Sequence, residues 1–342
     1  MSHEVLTDEA GNGKMFSVRE VPWHGLGNVL PNYPKSVEEI MAAAGYENVI
    51  ESPLTLTLPD GTAYTLDTHK AIVSVDRNVP LSVMSASYSL ITARPMVEFA
   101  FAVLGADPAT FEFEAMMSDD GTPPIMFETG MNLYGGKVVT LMARVPATML
   151  VGGVDPVNLY IAFLNSYDGS HKFGCHVTPV REVCANTLAA GLRCAVQSWS
   201  VKHTSKAMDY VEEARKTLNL TSKYAEEFKS TADSLIDQPF TTADFEALVR
   251  DVFPKQSSDA APFSPEQYGM IGLLQSSPTI DDAFRYTRWG AYNAVTEWDS
   301  WGRKYNETDT PVAERRTVNA MFGPGKVRAD KALNYLLAGA TA

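Results

Sequence analysis

The sequence is poor in cysteine, in positive charge and in long apolar runs, and each shortage excludes something. Its 342 residues hold 3 cysteines, an odd number at spacings that build no disulfide framework, so free thiols in a reducing compartment are expected. Lysine and arginine number 28 against 41 acids, a formal net charge of -13. That balance excludes a surface coated in positive potential for long-range steering of nucleic acid. No apolar run approaches the roughly 20 residues of a membrane-spanning helix, and the opening MSHEVLTDEAGNGK lacks the basic-then-apolar order of a secretory leader. A cytoplasmic protein with no membrane partner is expected. Common nucleotide and hydrolase motifs are missing too. Gly135-Gly136 and Gly152-Gly153 have neither the Lys-Ser/Thr of a Walker loop nor a GxGxxG setting, and no GxSxG elbow occurs. Both glycine pairs read as hairpin turns.

The residues that are present have an ordinary globular composition, 45% hydrophobic and 20% charged, in a chain long enough for one large mixed domain or two smaller ones. Ser36 to Ala44 carries a serine cap, early acids and small apolar residues, a short helix stopped by Gly45. From Leu54 the period becomes two: LTLTL, PDGT and AYTLDT spell a hairpin, and His69–Asp76 with Leu81–Ser85 a second pair. RPMVEFAFAVLG reads as a helix ending at Gly105, followed by strands at Thr110–Met117, Pro124–Leu133 and Lys137–Val145. A hairpin over 158–178 comes next. Thr178 as cap and Pro179 at the first position then open a helix whose apolar face runs through Val180, Val183, Cys184, Leu188, Leu192 and Ala195.

Beyond it, Val211, Ala214, Leu218, Ala225, Phe228, Ala232 and Leu235 recur at three-four spacing. They form a narrow stripe on a helix of about 25 residues, which packs either on this chain's own sheet or on a partner helix. Thr241 with Asp244 starts another helix that ends before Pro254, and Ile280–Tyr305 reads as an aromatic-rich helix. The expected fold is α+β: a curved antiparallel β-meander with hairpins packed on a helix, followed by a helical C-terminal region. Its expected divisions are an α+β core over 1–204, a long helix and its successor over 205–253, a linker over 254–265 and a helical region over 266–342.

All three cysteines and several histidines fall between His171 and His203. No close CxxC or HxxxH pair presents two metal ligands from one turn, so Cys175, His176, Cys184, Cys194 and their neighbours read as core rather than as a metal site. A nucleophile-base pair of His176 with Cys175 or Cys184 has no recognised signature around it. Charge is more informative. In 158–207 five basic side chains stand against two acids, so this segment is net +3 and the remainder -16. Lys172, Arg181, Arg193, Lys202 and Lys206 form a polar-basic ridge beside the strand aromatics Tyr160, Tyr167 and Phe173, a pattern able to track a phosphate backbone while bases stack on rings. The opposed reading is a solvated helix face.

Three blocks in order, MFSVREVPWHGLG, NSYDGSHKFGCHVTPVREVCANTL and TRWGAYNAVTEW, resemble those of a phage- and plasmid-associated family of domains of unknown function. Glu182 stands where that family usually has valine, and Trp298 where it has tyrosine. The resemblance implies a mobile-element protein rather than a characterised enzyme. Element order over roughly residues 70–200 is also similar to the meander and helix of single-strand annealing proteins, including the annealing domain of the eukaryotic recombination mediator. That likeness implies a ring or filament with a basic groove for single-stranded DNA.

The leading expectation is therefore a protein that binds single-stranded DNA and anneals strands without ATP, with no catalytic residue, metal or cofactor. Lys172, Arg181, Arg193, Lys202 and Lys206 would contact phosphates, and Tyr160, Tyr167 or Phe173 would stack. Its expected partners are DNA, further copies of itself and host or phage recombination proteins. Two alternatives stay open. One is an adaptor or inhibitor acting through the 205–237 stripe and the 285–305 aromatics; the other is a hydrolase using His176 with Cys175, Cys184 or Cys194.

Overall fold

The first helix, α1 (Val37–Ala44), follows the local chemistry of its ends. The Ser36 hydroxyl accepts from the Glu39 backbone N–H, and Gly45 closes the helix at φ 62°, a left-handed conformation that suits glycine. Around it the computed structural model describes residues 5–18, 27–104, 126–181, 198–203, 210, 213–214, 221–254, 261–302 and 324–338. The chain forms two units: Met1–Pro146 with Ile161–His176 and Ser198–Asn219, and Ala147–Tyr160 with Val177–Gln197 and Leu220–Ala342. The architecture is α+β, with antiparallel sheets and a helical C-terminal region.

The described strands form two sheets. The strands are β1 (Met15–Val18), β2 (Asn28–Leu30), β3 (Val49–Thr57), β4 (Ala63–Ser74), β5 (Val79–Ser85), β6 (Met126–Leu133), β7 (Val138–Val151), β8 (Asp155–Ser166), β9 (Phe173–Arg181) and β10 (Ser198–Val201). Seven of them run in the order β10-β9-β8-β7-β6-β1-β2, and β3-β4-β5 form a separate antiparallel sheet. In the large sheet β1 and β2 are parallel, while β1–β6, β6–β7 and β9–β10 are antiparallel. Helix α2 (Ala93–Val103) packs its apolar run on the large sheet. Phe99 meets Phe163, Phe173 and Trp199 at centroid distances of 6.5, 4.9 and 5.2 Å, and Phe101 meets Phe127 at 4.8 Å.

Glu47, 4% exposed, joins the pieces of this unit. It accepts from Lys14 Nζ at 2.8 Å and from Arg77 Nε and Nη2 at 2.7 and 2.9 Å, while Arg77 Nη2 also donates to the Gly135 carbonyl at 2.7 Å. Burial pushes the Glu47 carboxyl up, but the hydrogen bonds from Arg77, Lys14 and Ser74 together hold it below the usual carboxylate range. Gly136, at φ 83°, sits where an added Cβ would lie 2.7 Å from Arg77 Nη2, so this tight turn needs glycine.

In the second unit, helices α3 (Thr221–Ile236), α4 (Thr242–Val252), α5 (Pro265–Ser276), α6 (Arg288–Glu297) and α7 (Pro324–Ala338) follow in chain order. Helix α6 is buried from Trp289 to Glu297 and continues as a π-helical turn over Trp298–Gly302. Trp289 Nε1 donates to Asp155 Oδ2 at 2.8 Å, and Ser277 and Thr279 hydroxyls each donate to Glu297 at 2.6 Å.

Several expectations hold. The α1 caps, the LTLTL hairpin, the α2 run and the α4 capping box of Thr241 and Asp244 are all observed. Others change. Thr178 and Pro179 lie in strand β9 and do not open a helix. The expected helix body over 182–197, the strand at Thr110–Met117 and the Trp23-His24-Gly25 block lie outside the described residues. The aromatic helix begins at Arg288, not Ile280, because Thr287 caps it by accepting from Gly290 N–H. Pro265 is not the end of a linker but the first turn of α5, behind a Ser264–Gln267 capping box. The stripe residues Phe228, Ala232 and Leu235 are buried, and Phe228 packs edge-on against Trp289 at 6.2 Å. Its partner is thus a helix of the same chain.

Glu47→Gln leaves two half-buried cations without their counter-charge. A destabilisation of about 2 kcal/mol is expected, toward the low end for a broken buried pair because Lys14 and Arg77 keep some water; differential scanning calorimetry should show the midpoint falling by roughly 5 °C.

Candidate nucleic-acid interface

The ladder between β9 and β10 fixes the best-placed basic pair. Ser198 faces His176, Trp199 faces Cys175, Ser200 faces Gly174 and Val201 faces Phe173. Continued one step past its last pair, that register would set Lys172 opposite Lys202; both residues lie just outside the paired strands and both are exposed. Strand β10 is the edge of the sheet. Most other described cations are already spoken for: Lys14, Lys70, Arg77, Arg94, Arg144, Lys229, Arg250, Arg285, Arg328 and Lys331 all pair with carboxylates. Lys172 and Lys202 have no carboxylate partner among the described residues.

The turn that carries Lys172 is held firmly. Asp168 Oδ1 accepts from Ser170 N–H at 3.0 Å, Ser166 Oγ accepts from His171 N–H at 3.0 Å and donates to the His171 carbonyl at 2.8 Å. Ser82 Oγ of β5 donates to the Tyr167 carbonyl at 2.5 Å, and Tyr167 N–H donates to the Lys137 carbonyl at 2.7 Å. The two-residue alternation of SWSV marks β10 in the sequence, with Trp199 and Val201 on the inner side.

Two of the expected stacking residues do not face solvent. Tyr167 is 1% and Phe173 0% exposed; Phe173 is a wall of the Phe99–Trp199 cluster, with Trp199 edge-on at 6.1 Å. Alternation along β9 turns Phe173, Cys175 and Val177 inward together, so neither ring offers a face to a base. Tyr160, on β8 in the second unit, is half-buried. Arg181 ends β9, with its side chain outside the described set, and Arg193 and Lys206 lie outside the described residues altogether.

Cys175 and His203 take structural roles, while Cys184 and Cys194 lie outside the described residues. Cys175 is 2% exposed and burial pushes its thiol up to about 12, the reverse of what a thiolate nucleophile requires. Among the described residues no group of three His, Cys, Asp or Glu side chains could hold a metal ion. His203 is stacked on Tyr88 at 5.0 Å, and its Nε2 lies 2.7 Å from Asn165 Oδ1. Because Asn165 Nδ2 donates to the Ile91 carbonyl at 2.6 Å, its oxygen is the group facing the ring, so the neutral imidazole donates from Nε2. His203 follows Lys202 directly in the sequence. The structure uses it to pin the end of β10 to the chain after β5.

A family described as a domain of unknown function, DUF932, matches residues 80–331, well over half of the chain. The chain belongs to this family. No curated protein and no solved structure matches the chain. Lys172, Lys202 and the β8–β10 ladder of this DUF932 protein all fall inside the matched segment, whereas β3 and β4 precede it. No helix among the described residues is long and apolar enough to cross a membrane.

Burial lowers the His203 pKa to about 4 from an ordinary 6.5, so the fold favours the neutral ring. Its contribution to stability is complete above pH 6.5 and is lost as pH falls through about 4. Thermal melts across this window should show a shallower acid loss in His203→Gln, whose amide donates without titrating; parallel profiles for the two proteins would contradict the assignment.

Proposed function

We propose that this DUF932 protein binds single-stranded DNA without ATP, and anneals complementary strands, as an assembly of several copies serving a phage or plasmid. The observation that carries the reading is the Lys172–Lys202 pair. Like charges directly opposite one another on a sheet repel, and an anion between them offsets that cost. A phosphate diester supplies the right charge. Within a chain of net charge -13 such a contact must be local, so affinity has to come from repetition of the pair along an assembled track rather than from the field of one subunit. The motif blocks and element order that resemble mobile-element and annealing proteins support the same reading. Lys206 remains a further candidate phosphate contact within the same unit, while Tyr160, Arg181 and Arg193 belong to the other unit.

A second reading, an adaptor or inhibitor of a mobile element, is favoured by a different observation: Leu56, Leu58 and Tyr64 are 43%, 40% and 55% exposed on the β3–β4 hairpin. Apolar contacts of that kind would be insensitive to salt, which separates the two readings.

Titration of a labelled single-stranded oligonucleotide over a range of salt decides between them. Two phosphate contacts per subunit contribute a slope of about -1.4 in log K against log salt, from about -0.7 per contact on single strands. Lys172→Ala with Lys202→Ala should remove that much of the slope and weaken binding uniformly across sequences. Absence of binding by the unsubstituted protein at low salt sinks the proposal.

A further inference from the structure

The hairpin formed by β3 and β4 extends past the sheet that supports its base. Strand β5 pairs with β4 only from His69 to Ser74, while β3 and β4 continue as a two-stranded arm with Thr55 opposite Thr65, Leu56 opposite Tyr64 and Thr57 opposite Ala63. The arm's two faces differ. Leu56 and Tyr64 share one face as a directly opposed pair, and two-residue alternation adds Leu58 and the half-buried Leu66 to it; half-buried Leu54, at the register shift between Pro53 and Thr55, borders them along the strand. The other face carries Thr55, Thr57 and Thr65, with the Thr55 and Thr65 hydroxyls 3.1 Å apart. Threonine faces water without cost. Three large apolar side chains at 40% exposure or more do not, and a two-stranded ribbon alone is marginally stable.

We propose that the apolar face of this arm is a self-association surface, packing Leu54, Leu56, Leu58, Tyr64 and Leu66 against the same residues of a second copy across a two-fold axis. Charge selects the occupant. Between Pro53 and Asp67 the only ionisable groups that carry charge at neutral pH are Asp60 and Asp67. The arm therefore has no cation to meet a phosphate backbone or an anionic lipid surface. In a chain of -13, an uncharged face is also where two copies approach with least repulsion. An isologous contact needs a self-complementary patch, and a short leucine ladder beside one tyrosine meets that need.

The patch is small. Five residues per strand at ~3.3 Å each, on a ribbon ~10 Å wide, cover roughly 150–200 Å² per copy, well below the ~800 Å² per partner of a stable complex. The pairing is accordingly a reversible one that rises with concentration. This inference does not rest on the DNA reading, since mass is measured with no nucleic acid present.

Sedimentation velocity of the full chain over a wide concentration range tests it. The weight-average mass should climb toward twice that of the chain, equally at low and high salt. Leu56→Lys with Tyr64→Lys should weaken association by about a hundredfold or more, with an unchanged circular dichroism spectrum. Thr57→Lys, on the opposite face of the same arm, should leave it intact and so controls for damage to the ribbon. A wild-type chain that stays monomeric throughout overturns the proposal. Equal loss of association in Thr57→Lys overturns it too, as does flotation of a monomeric wild type with zwitterionic phospholipid vesicles that the double variant does not show. A chain that stays monomeric here also removes a preassembled track from the DNA reading, whereas loss of DNA binding alone leaves this mass measurement untouched.

Discussion

One buried carboxylate ties together the parts of the first unit. Glu47 lies between α1 and β3, and its two oxygens receive a lysine from the entry to β1 and an arginine from the turn between β4 and β5. Through Arg77 the link extends to the β6–β7 hairpin. The small sheet and the large one are thus held by a charge that is out of water and fully engaged, an arrangement that is costly to break because each remaining cation would be left partly dehydrated. Gly136 is fixed by the same contact, since any side chain there collides with Arg77.

Packing around Phe99 determines which residues of the β8–β10 ladder can meet a ligand. Phe163, Phe173 and Trp199 close on Phe99 within about 6.5 Å, and a strand that sends its aromatics inward must send their neighbours outward. The exposed rim that results is short and basic, with serine and lysine in place of rings. The ridge first read as lysines beside stacking aromatics becomes, in its described part, a pair of unneutralised lysines at a sheet edge. Of its three candidate stacking rings, Tyr167 and Phe173 turn out to be core.

The second unit shows how polar residues can resemble a site and serve the interior. Asn293, Thr296 and Glu297 sit on a helix with no exposed side. Asn293 Nδ2 donates to the Trp289 carbonyl, Thr296 Oγ1 to the Asn293 carbonyl, and Glu297 accepts two hydroxyls. Buried polar groups are tolerated when partnered, and much of the conspicuous TRWGAYNAVTEW block is such a core, with Asn293 Oδ1 and Trp298 Nε1 among the buried atoms in it that find no hydrogen bond among the described residues. Arg328 closes on Asp299 just beyond it.

Local chemistry alone determined much of this protein: the Ser36 and Gly45 ends of α1, the Thr241–Asp244 capping box, the Pro-Asp-Gly hairpin and the apolar run of α2 depend on neighbours a few residues away. The likeness to a family of unknown function was legible for the same reason, since it rests on contiguous blocks. Elements whose state depends on distant partners were not legible. Thr178-Pro179 has the local grammar of a helix start, yet β9 pairs with β8 and β10 and the chain stays extended. The 228–235 stripe announced a partner without naming it, and Trp289 supplied it from sixty residues away. Lys172 and Lys202 are thirty residues apart; only the antiparallel register of β9 and β10 brings them to the same end of the ladder. The sequence by itself established the elements and their apolar faces. Tertiary structure alone decided which aromatics are core, which cations remain unneutralised, and that one leucine-lined hairpin runs out beyond its sheet, because burial and pairing are set by contacts that no local window contains.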